Sequence, residues 1–354
     1  MSTYDIDPGV PAAIENFKLP EPLGFGQAIA PVMFDAHWRD GEWQRGRLLP
    51  YGPIELLPGA RALHYAELVF EGLKAYRVEG RGPNLFRPDA NCRRFVHSAS
   101  RLAMPPVPEA LFFQGIGAVV RACTPVMPTR SGRSLYLRPF LFGTESGYML
   151  RNSRDYRFMV IANPVEPYSS GAIKVAIERA DVRAAVGGLG EVKAAANYAA
   201  ALRASNAAVA SGCPVALFLD ANEHRYLQEL SGMNLFAVVD GELHTPELDG
   251  AILPGITRDS LLTLARSLGY TAFERRMTLD ELLEGIGSGR CNELFACGTA
   301  AIVSPITALM EGDGREYPLR QTDVVAKRLR ESLLAIQERR APDPFGWTQE
   351  LPST

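Results

Sequence analysis

The chain has 354 residues, 47% of them hydrophobic, and its 37 basic against 40 acidic residues give a formal charge of −3; this leaves room for two cores and argues against a nucleic-acid partner. No stretch approaches the roughly 20 consecutive apolar residues of a membrane-spanning helix, and "MSTYDIDPGVPAAIENFKLP" lacks a signal peptide's basic and apolar regions, so a cytoplasmic protein without a membrane partner is expected. Cys92, Cys123, Cys213, Cys291 and Cys297 form an odd set without C-x-x-C, and His37, His64, His97, His224 and His244 are equally dispersed, so neither a disulfide framework nor a metal site is indicated.

Residues 1–60 are rich in proline and glycine, and "FGQAIAPVMFDAHWRDGEW" reads as short strands with a turn at Arg39-Asp40-Gly41. In "NLFRPDANCRRFVHSASRLAMP" a strand-like Leu85-Phe86 passes a turn at Pro88-Asp89 into a helix. That helix sets Phe95, Ala99 and Leu102 on one face, keeps Arg94 and Arg101 close to one face, and ends before Pro105-Pro106. "SLYLRPFLFGTE" and "RFMVIANPVEPY" are β-rich, and the second drains into "EPYSSGAIK", which has linker composition. The domain junction is therefore expected at residues 167–174, between a small N-terminal α/β domain (1–166) and a large C-terminal domain (175–354). Beyond it come strand "KVAIE", the glycine-rich "AAVGGLGEVKAAANYAAALRAS", strand "VALFLD", a turn at Ala221-Asn222, and strand-like "RYLQELSGMNLFAVV" before a hairpin turn at Asp240-Gly241. "ILPGITRDSLLTLARSLGY" reads as a loop feeding a helix through Thr257 and Asp259, and no repeat or low-complexity tract appears.

Lys193, alone in that glycine- and alanine-rich segment, raises a chemical question. A P-loop would need Gly-Lys-Ser/Thr, but Val192 and Ala194 flank it. An exposed lysine beside a helix start is the simpler reading of these residues alone. Against it, the alanines around Lys193 give little steric cover, so a ligand or backbone could approach and desolvate the amine. Desolvation favours the neutral, nucleophilic form that Schiff-base chemistry requires. By the same local standard Tyr198 reads as helix packing, Glu229 as a solvent-facing strand residue and Thr257 as an ordinary cap.

Seven segments in order change those weights. "LHYAELVFEGLKAYR", "LFRPDANCRRF", "SLYLRPF", "VKAAANYAAAL", "YLQELSGMNLF", "ILPGITRDSLL" and "ELFACGTAAIVSP" together make the chain, from about Phe34 to Gln337, similar to fold-type IV pyridoxal-phosphate enzymes, specifically branched-chain-amino-acid aminotransferases. The resemblance implies an α/β (α+β) two-domain fold with the active site at the domain interface, a homodimer, and pyridoxal 5'-phosphate as cofactor. Lys193 would hold the cofactor covalently and later carry the proton at the substrate Cα. Tyr198 would hydrogen-bond the cofactor's phenolic oxygen, and Glu229 would keep its ring nitrogen protonated so that the ring can accept electrons. Arg94, Ile256, Thr257 and Thr299 would receive the phosphate. Tyr65, Phe70, Tyr136 and Tyr168 would line the substrate pocket, Arg138 would meet the distal carboxylate of glutamate, and the N–H groups of Thr299 and Ala300 would bind the α-carboxylate. The implied reaction is amino transfer between leucine, isoleucine or valine and 2-oxoglutarate.

The chain departs from the family pattern at several places. Ala66, Ala195 and Ala196 stand where glycine is common, and "TESGYMLRNS" and "EPYSSGA" differ from the usual spellings of two substrate-side segments. Gly232 replaces a threonine of some members, and Ala301 and Ser304 occupy the places of a redox C-x-x-C. A transaminase for a modified aliphatic or aromatic amino acid is the alternative within the same chemistry. A cofactor-binding protein without turnover is the alternative outside it, disfavoured by the intact Lys193, Tyr198 and Glu229.

Overall fold

In this computed structural model residues 4–78, 80–166, 171–320 and 323–351 are described, and the chain divides into two compact units. The first comprises Met1–Tyr168, Lys193–Ala195 and Ile336–Thr354, the second Ser169–Val192 and Ala196–Ala335. Residues 167–170 of the expected junction lie outside the described residues.

The first unit is built on a 10-stranded sheet whose main path runs Asp5–Ile6, Arg47–Pro50, Val32–Arg39, Tyr156–Val165, Ser134–Gly143, Leu73–Tyr76, Asn84–Phe86 and Thr348–Glu350. Its two longest strands, Ser134–Gly143 and Tyr156–Val165, pair antiparallel from Ser134↔Val165 to Gly143↔Tyr156. The edge hairpin forms because Asp40 and Gly41 both take positive φ, 53° and 84°, between the paired Arg39 and Glu42. A two-residue turn of that hand matches the twist of the strands it joins. Helix Pro88–Arg101 starts at the proline, with Asp89 in its first turn, as suits the missing N–H and the helix dipole. Pro88-Asp89 is thus the helix's opening turn. Phe95 and Ala99 are buried as expected, but Leu102 is the C-cap and only half-buried, because the helix stops one residue short of it. Phe95 packs with Phe112 and Phe158 in an aromatic core.

The second unit carries a 9-stranded sheet with main path Leu227–Leu230, Val215–Leu219, Ile173–Glu178, Ile302–Met310, Cys291–Gly298, Asn234–Val239, Glu242–Thr245 and Ala272–Glu274. Its core gathers Val175, Leu217, Leu230, Leu235, Leu294 and Ile306, the inward residues of alternating strands. "RYLQELSGMNLFAVV" is two strands rather than one. The chain reverses through Ser231-Gly232-Met233, closed by Leu230 N donating to Met233 O at 2.9 Å. Asp240 and Gly241, with φ 53° and 82°, turn the next hairpin. Helix Ile256–Ser267 begins at an N-cap Gly255 that offers no side-chain cap, and Thr257 lies inside the helix rather than capping it.

Candidate active site

Lys193 ends the glycine-rich segment immediately before helix Ala195–Ala210. Its backbone is pinned on both sides within the first unit. Its N–H donates to Ser98 Oγ at 3.0 Å, its carbonyl accepts from Phe70 N at 3.0 Å, and Ala194 bridges Val69. The ammonium lies 4.9 Å from the centroid of the Phe70 ring. The Arg138 guanidinium lies 4.5 Å from the same ring and 5.3 Å from that of Tyr136. Strand alternation explains the pairing: Tyr136 and Arg138 are two apart on Ser134–Gly143 and so share a face. Arg138 Nη2 donates to the Tyr136 hydroxyl at 3.1 Å. Gly72 makes room for that hydroxyl, since a Cβ there would sit 2.1 Å from it.

Glu71, whose role the sequence did not disclose, lies beneath this cluster with 0% exposure. It accepts from Arg94 Nε at 2.7 Å and Nη2 at 2.9 Å, from Asn91 Nδ2 at 2.7 Å and from Gly72 N at 3.1 Å. Burial pushes its carboxyl up, but the charge and hydrogen bonds of Arg94, the charge of Lys193 and the Asn91 bond outweigh that and hold it below the usual carboxylate range. Glu71 and Arg94 therefore balance one another, and Lys193 and Arg138 give the cluster an excess of positive charge suited to a carboxylate-bearing ligand.

Tyr65 engages a different part of the first unit. Its hydroxyl donates to Tyr148 O at 2.6 Å. Buried Arg61 donates Nη1 to Arg151 O at 2.9 Å and to Met149 O, and Glu145 pairs with Arg151. These bonds hold the segment 145–151 so that Tyr148, Met149 and Leu150 point outward, Leu150 at 91% exposure. Ala66 takes a left-handed conformation (φ 50°) at the end of the short helix Arg61–Tyr65, which is why glycine suits that position. Tyr168 lies outside the described residues.

The second unit assembles the remaining residues. Glu229 is 3% exposed, not solvent-facing. Its Oε1 accepts from Leu253 N at 3.0 Å and pairs with Arg183 Nη2 at 2.6 Å, and its Oε2 accepts from Asn234 Nδ2 at 3.1 Å. Asn234 also donates to Leu253 O at 3.1 Å and stands opposite Cys297 in the sheet. The Asn of "GMN" thus ties Glu229 both to the loop that starts helix Ile256–Ser267 and to the strand that leads into Thr299 and Ala300. Gly255 is required there, since a Cβ would fall 2.0 Å from Asn234 Oδ1. Ile256 and Thr257 open that helix, whose first N–H groups have no side-chain cap from Gly255 and so form a ready anion site. Thr299 and Ala300 occupy the tight connection between Gly298 and Ile302, which pair with each other. Tyr198 lies in the first turn of Ala195–Ala210 and is 37% exposed. Its neighbour Asn197, another residue the sequence did not single out, is buried and donates to Leu189 O at 2.6 Å and Val192 O at 2.8 Å, fixing the approach to Lys193.

Each unit therefore gathers its own set: Lys193, Phe70, Arg94, Tyr136 and Arg138 in the first, Glu229, Ile256, Thr257, Thr299 and Ala300 in the second. Within the second unit, a buried carboxylate with fixed donors, a helix start without a side-chain cap and nearby hydroxyls suit an anionic ligand; within the first, a lysine with a pinned backbone stands beside an aromatic ring. Among the described residues no His/Cys/Asp/Glu group could hold a metal ion, and no helix is long and apolar enough to cross a membrane.

Comparison with known proteins agrees with this chemistry. The family profile described as amino-transferase class IV matches residues 68–309. A probable branched-chain-amino-acid aminotransferase of Streptomyces coelicolor is 42% identical over 334 residues, 93% of this chain and 92% of its own length. The branched-chain-amino-acid aminotransferase of Mycobacterium tuberculosis is 41% identical over 357 residues, 98% of this chain and 96% of its own. Among solved structures, the T.th. branched-chain amino acid aminotransferase complexed with N-(5'-phosphopyridoxyl)-L-glutamate superposes with a TM-score of 0.73 at 32% identity, covering 90% of this chain and 98% of its own. The same enzyme has also been solved with pyridoxamine 5'-phosphate and with 4-methylvaleric acid.

Proposed function

The chain belongs to the class IV aminotransferase family, and from that premise we propose that it transfers the amino group of leucine, isoleucine or valine to 2-oxoglutarate, giving the 2-oxo acid and L-glutamate. Class IV aminotransferases use pyridoxal 5'-phosphate, which when bound supplies the electron sink that allows an amino acid to give up its Cα proton. A substrate of another type is not favoured, because relatives bearing the branched-chain name match nearly the whole chain.

Lys193 would hold the cofactor covalently, and its amine would take the proton from the substrate Cα and return it. Its pinned backbone limits where that amine can travel. Glu229 would hold the proton of the ring nitrogen, its carboxylate being fixed in place by three donors. Tyr198 hydrogen-bonds the phenolic oxygen. Arg94, the helix start at Ile256 and Thr257, and Thr299 bind the phosphate. The N–H groups of Thr299 and Ala300 receive the α-carboxylate. Phe70, Tyr136, Tyr65 and Tyr168 offer apolar faces to a branched side chain, and Arg138 answers the second carboxylate of glutamate or 2-oxoglutarate.

One observation carries this reading: the reactive amine and the guanidinium lie over the same aromatic ring. Amine chemistry thereby sits beside a wall that an aliphatic chain can pack on and a cation that a distal carboxylate can reach. We further propose a cytoplasmic protein that forms a homodimer; the outward apolar side chains of Leu57, Leu63, Tyr148, Met149 and Leu150 are ones that a second copy could cover. The two compact units are proposed as the substrate-side and cofactor-side domains, with Lys193–Ala195 and Ile336–Thr354 belonging to the first and Ile173 and Lys174 already in a strand of the second rather than in a linker. The test is single-turnover spectroscopy of the cofactor-loaded protein with leucine and, separately, of its aminated form with 2-oxoglutarate. Absence of a spectral change with leucine, isoleucine and valine would overturn the assignment.

A further inference from the structure

Arg183 has no part in the roles above, yet it occupies a junction of the second unit. Its side chain is 9% exposed and lies 2.6 Å from Glu229 Oε1 through Nη2. The same nitrogen donates to Gly190 O at 3.1 Å and to Ala251 O at 2.5 Å. Gly190 lies just before Lys193 in the chain, and Ala251 lies in the loop that leads to helix Ile256–Ser267. These two loops touch backbone to backbone: a Cβ on Gly190 would sit 2.1 Å from Ala251 O. Asp249 strengthens the junction, with Oδ1 accepting from Ala251 N at 2.8 Å and Oδ2 from Gln228 Nε2 at 2.7 Å, next to Glu229.

From this convergence we propose that Arg183 is a positioning residue for transamination, fixing the place and charge of the Glu229 carboxylate and locking it to the loop entering Lys193 and the loop entering the phosphate-binding helix. The proposal rests on the reading of Glu229 as the ring-nitrogen partner. A carboxylate this deeply buried needs a balancing cation, and Arg183 supplies it at a distance shorter than either the Leu253 or the Asn234 hydrogen bond. All three acceptors converge on Nη2, which carries two N–H groups, so the contacts are shared; a lysine would keep the charge at this junction but not the guanidinium's planar spread of it. Sharing the carboxylate with Arg183 also moderates how strongly Glu229 holds the ring proton, so Arg183 sets the ring's electron demand without touching it.

The experiment compares Arg183→Met, Arg183→Lys, Glu229→Gln and the Arg183→Met/Glu229→Gln double variant with the wild-type holoenzyme. It reads the dissociation constant for pyridoxal 5'-phosphate, the pH titration of the bound cofactor's absorbance and the leucine single-turnover rate. Arg183→Met should slow the single turnover by about 10- to 100-fold, the range for losing one charged hydrogen bond, and should weaken cofactor retention and move the titration midpoint. Arg183→Lys should change all three in the same direction but less. If Arg183 acts through Glu229, Arg183→Met should add less than about threefold to the Glu229→Gln defect, since residues that work as a unit are not additive. Multiplying defects in the double variant would overturn the proposal. So would a wild-type titration midpoint and cofactor affinity in Arg183→Met. Should Arg183→Met not fold, Arg183→Lys decides: a lowered melting temperature with an unchanged midpoint marks a mere structural brace. Failure of the broader functional reading is recognised separately, because the wild-type protein would then show no leucine-driven spectral change.

Discussion

Replacing Arg138 with methionine tests the dual-substrate reading most directly. Methionine keeps much of the side chain's length and apolar contact and deletes the guanidinium. In the structure that guanidinium donates a hydrogen bond to the Tyr136 hydroxyl at 3.1 Å and lies over Phe70 and Tyr136. Its Nε is buried and makes no hydrogen bond among the described residues, so a donor remains for an incoming carboxylate. A charged hydrogen bond contributes about 1.5–3 kcal/mol, and about 1.36 kcal/mol is a factor of ten in rate. Arg138→Met should therefore lower kcat/KM for 2-oxoglutarate by about one to two powers of ten. Leucine has no second carboxylate, so its half-reaction should lose no more than about threefold, the scale of one lost cation–π contact of ~0.5 kcal/mol. The assay follows each half-reaction alone, by the cofactor's absorbance in a stopped-flow instrument, with melting temperature as a control for folding. Equal losses for leucine and 2-oxoglutarate would refute the reasoning and mark Arg138 as a brace of its strand.

Lys193→Ala should abolish turnover and leave pyridoxal 5'-phosphate bound only noncovalently; borohydride reduction and peptide mapping of the wild-type protein should find the adduct on Lys193, and an adduct on Lys74 or Lys174 would sink the assignment. Glu71→Gln should leave Arg94 buried without its carboxylate and cost about 3–5 kcal/mol by denaturant unfolding, and a loss under about 1 kcal/mol would show that the pair is not balanced as described. Acid should loosen the segment around Glu145. Hydrogen bonds from Arg151 above all, then from the Arg154 N–H, with the charges of Arg151 and Arg61, bring that carboxyl down to about 2. A depressed carboxylate stabilises fully above its ordinary value near 4.5 and loses that contribution as pH falls toward 2. Protection of the Arg154 amide, which donates to Glu145 at 2.7 Å, should fall across this window when its hydrogen exchange is compared with the intrinsic rate at each pH, and an unchanged acid dependence in Glu145→Gln would contradict the mechanism.

Local chemistry was legible in the sequence. Asp40-Gly41 and Asp240-Gly241 turn their hairpins because two adjacent residues with positive φ suffice to reverse a strand. Pro88 opens its helix for an equally local reason. Tyr136 and Arg138 share a face because side chains alternate along any strand. The order of the motifs around Lys193, Tyr198 and Glu229 likewise identified the chemistry before any contact was known. What the sequence could not show is which distant groups meet. Glu71 finds Arg94 across a helix and a strand, Ser98 receives the Lys193 N–H, and Arg183 joins Glu229 to Gly190 and Ala251. None of these pairings has a sequence period, because each depends on sheet register and loop path, and a shift of one residue in either would part the groups. Read alone, Glu229 is a polar residue in a strand; only the tertiary structure buries it with three donors, since a carboxylate can leave water only where the fold has already gathered the charges that replace it.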